Sequence, residues 1–146
     1  MNSPSAEYSI RKVLSANDLG LTGSHQAGIL IPKQSRILSF FPHLSDLDEN
    51  PSREVSVLHA ETGTRWILRF VYYNSKPREV GTRNEYRLTR MMALLGAMDA
   101  RVGDALVFKR SSIGEVNVSI DRHTESSSEI SSRKVVLRGG WTLIDD

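Results

Sequence analysis

The 146-residue sequence contains no cysteine. Disulfide bonds, thiolate metal sites and a cysteine nucleophile are therefore excluded, as is common for proteins of a reducing cell interior. The sequence also lacks any apolar run long enough to span a membrane, and its first residues, MNSPSAEYSIRK, lack the apolar core of a signal peptide. We predict a single soluble domain over residues 1–146, located inside the cell.

Motifs of catalysis are missing as well. A metal-dependent nuclease of the restriction class needs carboxylates that hold magnesium and a lysine two residues after an acid. None of the five lysines follows an acid at that spacing, and the four histidines lack the spacing of metal ligands. We predict that this chain is not an enzyme and that it requires neither a metal nor another cofactor.

Positive charge is concentrated in one window of a nearly balanced chain. Residues 65–90 contain seven Lys or Arg and two acids, a net charge of +5, whereas the whole chain carries +2. The central stretch of this window, NSKPREVGTRNEYRLTR, combines Arg, Asn, Glu and Tyr. Such a surface can neutralise phosphates and also present groups that bond base edges. The composition therefore favours nucleic-acid binding.

Within this window, Arg83, Glu85 and Arg87 point the same way if the segment is a strand. An Arg guanidinium can bond guanine O6 and N7, and a carboxylate can accept from the cytosine amino group, so this face fits G·C pairs in a major groove. Two other interpretations remain open. In the first, Glu85 supports the two arginines in a surface salt-bridge cluster. In the second, the segment is a helix with a solvated cationic stripe.

Strand-like runs separated by turns dominate the rest of the chain. Residues 54–60 and 65–74 are predicted to form a hairpin, and short helices are predicted within 33–41 and 91–98. The segment 121–133 is rich in serine and is predicted to be mobile. Strands and helices do not alternate regularly, so we predict a mainly β fold, a small barrel with two short helices and long arms between strands. The core face of the hairpin is predicted to carry Trp66, Leu68, Phe70 and Tyr72.

Two long runs, LSANDLGLTGSHQAGILIP at 14–32 and VYYNSKPREVGTRNEYRLTR at 71–90, closely resemble the amino-terminal effector domain of EcoRII-like restriction endonucleases. Residues 66–120 also resemble the plant B-three DNA-binding domain. The resemblance implies an open pseudobarrel of the seven-stranded type, in the cytoplasm of a prokaryote, with two protruding arms that grip the DNA major groove. By resemblance, the N-arm is residues 17–28 and the C-arm is residues 76–90.

The resemblance also implies a partner. EcoRII-like domains recognise duplex CC(A/T)GG as an allosteric effector site, so the expected partner is double-stranded DNA, and any nuclease activity would lie in a fused or separate domain. Three positions depart from the family pattern, namely Leu30, where a tyrosine is usual, and Gly81 and Tyr86, where lysines are usual. Residues expected to read bases are Ser24, His25, Gln26, Arg83, Glu85 and Arg87. Residues expected to contact the DNA backbone are Arg11, Lys12, Thr22, Lys76, Arg78, Asn84, Tyr86 and Arg90.

Three alternative functions remain open at this point. The first is a stand-alone transcription regulator of the plant B-three type, with no nuclease partner. The second is an RNA-binding barrel, which would need aromatic side chains exposed on a sheet face for base stacking. The third is a small enzyme that uses His59 and Glu61, two residues apart on a predicted strand and able to hold one edge of a metal site.

Overall fold

A computed structural model of the chain describes residues 8–22, 28–74, 84–111, 113–123, 133–136 and 138–145. Within these residues the chain forms nine strands, two short α-helices and one turn of 3-10 helix at 138–140. The strands are β1 (Tyr8–Val13), β2 (Ile29–Ile31), β3 (Ser52–His59), β4 (Thr64–Tyr73), β5 (Glu85–Thr89), β6 (Ala105–Arg110), β7 (Val116–Asp121), β8 (Arg133–Val136) and β9 (Trp141–Asp145). The helices are α1 (Ser35–Leu38) and α2 (Met92–Ala97).

The nine strands form one sheet in the order β2-β5-β4-β3-β7-β6-β1-β9-β8. The β3–β7 pair is parallel and the other paired strands are antiparallel. The sheet curls around a shared apolar core into an open pseudobarrel, which confirms the predicted fold class although the strand count is nine instead of seven. Its largest fully buried side chains include Ile10, Leu68, Phe70, Leu88, Phe108 and Trp141.

The hairpin of β3 and β4 confirms the predicted alternation. Leu68 and Phe70 are buried, and Trp66 and Tyr72 pack partly buried against the same core. Since aromatic rings on this face fill the barrel, the hairpin does not present the exposed stacking platform that the RNA-binding alternative requires.

The two predicted helices are present and short. Gln34 caps α1 by accepting from the backbone N–H groups of Arg36 and Ile37, and Ile37 is fully buried. Helix α2 follows β5 and buries Leu94 and Leu95. Both helices therefore cover the barrel core with one apolar side.

Other predictions are corrected or fall outside the described residues. The segment predicted to be mobile, residues 121–133, begins too early. Asp121 is the last residue of β7, and the backbone N–H of His123 donates to the Asp104 carboxylate at 2.8 Å. Residues 124–132 lie outside the described part of the chain. His59 is buried and pairs with the Thr62 hydroxyl at 3.1 Å. Among the described residues, no cluster of three potential metal ligands occurs and no helix is long and apolar enough to cross a membrane.

Candidate nucleic-acid interface

Strand β5 orients the predicted base-reading residues. Glu85 and Arg87 lie on its outward face, whereas Leu88 is fully buried and the Tyr86 ring stacks on Tyr72 with a centroid distance of 4.3 Å. This is the alternation predicted from the sequence, and it excludes a helical cationic stripe for the described part of the segment. Arg83 lies outside the described residues, as do Lys76 and Arg78.

Arg87 is held within the protein. Its Nε donates to the Glu85 carboxylate, and its Nη1 donates to the carbonyl oxygen of Gly28 at 3.3 Å. The Arg87 side chain is 5% exposed and the Glu85 side chain is 24% exposed. The Glu85 carboxylate can therefore meet a ligand with part of its surface, whereas Arg87 would have to release its protein contacts before it bonds a base.

Gly28 joins the end of the N-arm to β5. Its φ is +77°, and a Cβ placed there would lie 2.2 Å from the carbonyl oxygen of Leu88. Only glycine fits this close approach, because any side chain would clash with the β5 backbone. Strand β2 follows immediately and pairs with β5, with Leu30 opposite Arg87. The N-arm thus ends beside the outward face of β5.

The chain that leads into the N-arm and the first part of the N-arm, residues 15–22, are built from turns. The Ser15 backbone N–H donates to Asp18 Oδ2 at 2.9 Å, and the Asp18 backbone N–H donates to Ser15 Oγ at 3.2 Å. Thr22, predicted to contact the DNA backbone, donates through its hydroxyl to Asn17 Oδ1 at 2.9 Å. Ser24, His25 and Gln26 lie outside the described residues.

Lys12 occupies a position that the sequence did not indicate. Its ammonium lies 3.1 Å from Asp18 Oδ2, and both side chains are 8% exposed. It also donates to the carbonyl oxygens of Val13 at 3.1 Å and Gly139 at 2.6 Å. This burial argues against the predicted phosphate contact, because the alternation of β1 turns Lys12 toward the core side while Arg11 points outward.

The remaining predicted backbone contacts differ in accessibility. Arg11 pairs with Asp121 at 2.9 Å and Arg90, 52% exposed, lies 3.5 Å from Glu54. Tyr86 belongs to the aromatic stack, so its ring supports the core and is a poor candidate for a phosphate contact. Burial, and then the nearby Tyr72 and Asp46, raise the pKa of Tyr86, so its phenol stays neutral at physiological pH.

Lys33 is a candidate residue of the nucleic-acid interface that the sequence did not reveal. Asn84 Oδ1 accepts from Lys33 Nζ and from the Tyr72 hydroxyl, each at 2.7 Å. Asn84 directly precedes β5, and Lys33 follows β2, so the β2–β5 pairing brings this cation beside the C-arm at the point where β5 begins. Its only sequence signal would have been the register of two strands separated by more than fifty residues, which periodicity cannot supply.

Acids elsewhere on the sheet neutralise much of the basic window. Arg65 lies 2.6 Å from Glu115, and Arg69 and Arg90 share Glu54 at 3.9 and 3.5 Å. With Arg87 paired to Glu85, all four described arginines of residues 65–90 have a carboxylate partner. The sequence places Lys76, Arg78 and Arg83, with Glu79 as the single acid, in residues 75–83. The unbalanced charge of the window therefore belongs to the C-arm.

Comparisons with known proteins agree with this architecture. A family model described as restriction endonuclease EcoRII, N-terminal, matches residues 3–130. Type II restriction enzyme EcoRII of Escherichia coli is 34% identical over an alignment of 129 residues that covers 82% of this chain and 31% of that enzyme. The chain therefore spans less than a third of this relative.

Two solved structures resemble the chain. The Arabidopsis FUS3–DNA complex has a TM-score of 0.59 at 14% identity, covering 78% of this chain and 96% of that one. The B3 domain of UbaLAI restriction endonuclease, solved with cognate DNA, has a TM-score of 0.49 at 25% identity, covering 82% of this chain and 69% of that one. At 14% identity, the likeness to FUS3 shows the pseudobarrel fold.

Proposed function

The chain belongs to the family of EcoRII amino-terminal domains, and from this premise we propose that it binds double-stranded DNA sequence-specifically in the major groove. The likeness in fold to FUS3, which was solved with DNA, and the pairing of β2, which follows the N-arm, with β5 of the C-arm support this function. The proposal covers the whole of residues 1–146 as one binding domain of a prokaryotic cell.

The observation that carries the proposal is the contact between Arg87 and the carbonyl oxygen of Gly28. It joins the last residue of the N-arm to the outward face of β5, the strand that lies within the C-arm. Two polar segments that meet at one face of a sheet can enter a groove together, and the outward Glu85 carboxylate lies on the same strand as Arg87. A carboxylate is otherwise unfavourable beside phosphates, and a cytosine amino group is a partner that would offset this repulsion.

Each arm has a distinct role in this proposal. Arg83 and Arg87 bond guanines and Glu85 accepts from a cytosine amino group, while His25, with Ser24 and Gln26, reads the other half of the site. Phosphates are contacted by cations that reach solvent, and Arg11, 21% exposed, and Arg90, 52% exposed, suit this role better than Lys12, which is 8% exposed. Further backbone contacts are assigned to Thr22, Lys76, Arg78 and Asn84.

The target that we propose is a duplex of the CC(A/T)GG type, bound as an effector site. G·C pairs at both ends suit two arms that carry guanidinium, carboxylate and imidazole groups. Because the chain matches 31% of the Escherichia coli enzyme, we assign any endonuclease activity to a different domain and the role of a type IIE specificity module to this one. The chain itself has no catalytic residue in this proposal.

Selection of bound duplexes from a randomised pool tests the function directly. We expect enrichment of one G·C-flanked sequence, and then a measurable difference in affinity between this duplex and a scrambled one of equal length. Recovery of a pool with no enriched sequence, or equal affinity for both duplexes across a salt series, would contradict sequence-specific binding.

A pair of variants then tests the assignment of the C-arm. Arg83→Ala should weaken binding of the selected duplex by about 1–3 kcal/mol, with little change for the scrambled duplex. Arg65→Ala removes the same charge at the opposite end of β4, roughly 25 Å at ~3.3 Å per residue from Tyr73, where β4 leads into the C-arm, and should change both affinities slightly and equally. Equal losses on both duplexes for Arg83→Ala would remove Arg83 from base reading.

A further inference from the structure

Buried contacts connect the carboxy-terminal residues with the start of the N-arm, at Ser15–Asp18. Gly139 accepts from the Lys12 ammonium at 2.6 Å, and the same ammonium pairs with Asp18, which closes the Ser15–Asp18 turn. One buried cation thus links β1, the first turn of the N-arm and the 3-10 turn at 138–140. Residues 138–145 lie beyond the family match, which ends at residue 130.

Trp141 makes a second link. It is 1% exposed, its ring packs near Phe108, and its indole Nε1 donates to the carbonyl oxygen of Leu30 at 3.0 Å. Leu30 belongs to β2, the strand that leaves the N-arm and pairs with Arg87. The carboxy-terminal turn therefore holds both ends of the N-arm, one through Asp18 and the other through Leu30.

The 3-10 turn at 138–140 leaves no space for a side chain at position 140. Gly140 has a φ of +85°, and a Cβ there would lie 3.1 Å from the carbonyl oxygen of Val13 and 3.2 Å from Lys12 Nζ. Beside it lies a cleft of about 500 Å³. Lys12, Asp18, Leu30 and Trp141, which make the two polar links, all line this cleft.

We propose that Lys12, Asp18 and Trp141 are positioning residues that fix the N-arm for sequence-specific DNA binding, an inference that rests on the proposed function. A buried ion pair is costly to form and more costly to break, since removal of one partner leaves the other charge uncompensated. The physical effect of the Lys12–Asp18 pair is to hold the start of the N-arm in one arrangement before DNA binds. Preorganisation of this kind reduces the entropy that binding would otherwise lose.

Asp18→Asn gives a test in which two explanations predict changes of opposite sign in the affinity for DNA. If Asp18 acts on DNA only through its charge, its removal strengthens binding of every duplex, because a negative charge near phosphates is lost. If it positions the N-arm, affinity for the selected duplex falls by roughly 10-fold while affinity for the scrambled duplex stays within about twofold. Glu115→Gln removes the same charge from a residue paired with Arg65 and should leave the ratio of the two affinities unchanged.

Trp141→Phe is the second variant and keeps the aromatic packing. It removes the hydrogen bond to Leu30, and a side chain this buried has no access to DNA. We expect a fall in the affinity ratio of roughly 3-fold to 10-fold, together with faster hydrogen exchange at the Leu21 amide, which bonds the Ala16 carbonyl at 2.9 Å. A loss of global stability alone would lower the active fraction for both duplexes equally and leave the ratio unchanged.

The outcomes separate the inference from the function on which it rests. If the wild-type protein prefers no duplex, both are overturned. If the wild type prefers one duplex and both variants keep that preference, the DNA-binding function stands and the positioning role is overturned. If Asp18→Asn does not fold, Trp141→Phe and the exchange of Leu21 decide the question.

Discussion

Replacing Arg87 with alanine tests whether this side chain belongs to the protein framework or is a free reader of bases. The side chain is 5% exposed and bonds Glu85, which is 24% exposed. A charge-assisted hydrogen bond contributes about 1.5–3 kcal/mol, and breaking a buried pair costs about 3–5 kcal/mol. Because Glu85 still reaches water, the lower range applies, and Arg87→Ala should reduce the free energy of unfolding by about 1.5–3 kcal/mol.

Urea unfolding followed by circular dichroism measures this change, and Arg69→Ala is the matched control. Arg69 lies on the adjacent strand β4, its side chain is 33% exposed, and it is 3.9 Å from Glu54. An ion pair of this exposure contributes about 1 kcal/mol or less. If Arg87→Ala costs no more than the control, Arg87 is not a framework residue and the argument from its burial is wrong.

DNA binding by the same variant separates the two roles that remain for Arg87. A residue that reads guanine after releasing Glu85 should lose discrimination at a base pair different from the one that Glu85 reads. A residue that only orients Glu85 should lose discrimination at the same base pair as Glu85→Ala, and the double variant should lose little more than either single one. Affinities for duplexes with one substituted base pair at a time distinguish these results.

Three further predictions follow from other parts of the structure. Gly28→Ala should destabilise the protein by more than about 3 kcal/mol or prevent folding, because its Cβ would lie 2.2 Å from the carbonyl oxygen of Leu88. The control Gly63→Ala, at a position with positive φ and no atom within 4 Å of the added Cβ, should cost about 1 kcal/mol. Similar melting temperatures for the two variants would refute this prediction. Burial alone would raise the pKa of Asp104, but hydrogen bonds from the His123 and Arg101 backbones and the Arg122 guanidinium lower it below 3.8. Its contribution to stability is therefore complete above that value and is lost as pH falls through the lower folded pKa, so Asp104→Asn should lose about 2 kcal/mol at pH 7 and show a weaker acid dependence of unfolding than the wild type. The log of the affinity for scrambled DNA should fall with log salt with a slope of about −3 to −5, as for three to five phosphate contacts; a slope near −8 would mean that the paired arginines of the sheet also bind phosphates.

Periodicity predicted β5 correctly because the strand is buried on one face. Tyr86 and Leu88 must face the core for the barrel to close, and this fixes the outward direction of Glu85 and Arg87. The β3–β4 hairpin was predicted for the same reason. A period of two determines which face a side chain occupies, so the sequence contains this information locally.

Contacts between distant strands were beyond the reach of that reasoning. Lys12 reads as a surface cation next to Arg11, and only the packing of residues 138–140 against β1 turns it into a buried link. Lys33 likewise lies beside Asn84 of the C-arm because of the β2–β5 register. Such positions depend on which strands become neighbours, and a single sequence does not encode that order in any local pattern.

The pairing of the arginines indicates how the proposed site would combine affinity with specificity. Arg65 and Arg69 lie near carboxylates on the sheet, so they have little charge left to attract phosphates without rearrangement. Non-specific affinity would then come mainly from the C-arm and a few exposed cations, and it would be modest at physiological salt. A domain with modest non-specific affinity needs base contacts to remain on DNA. The acids on the sheet thus favour discrimination between sequences at the expense of overall affinity, because they remove attraction that every duplex would share.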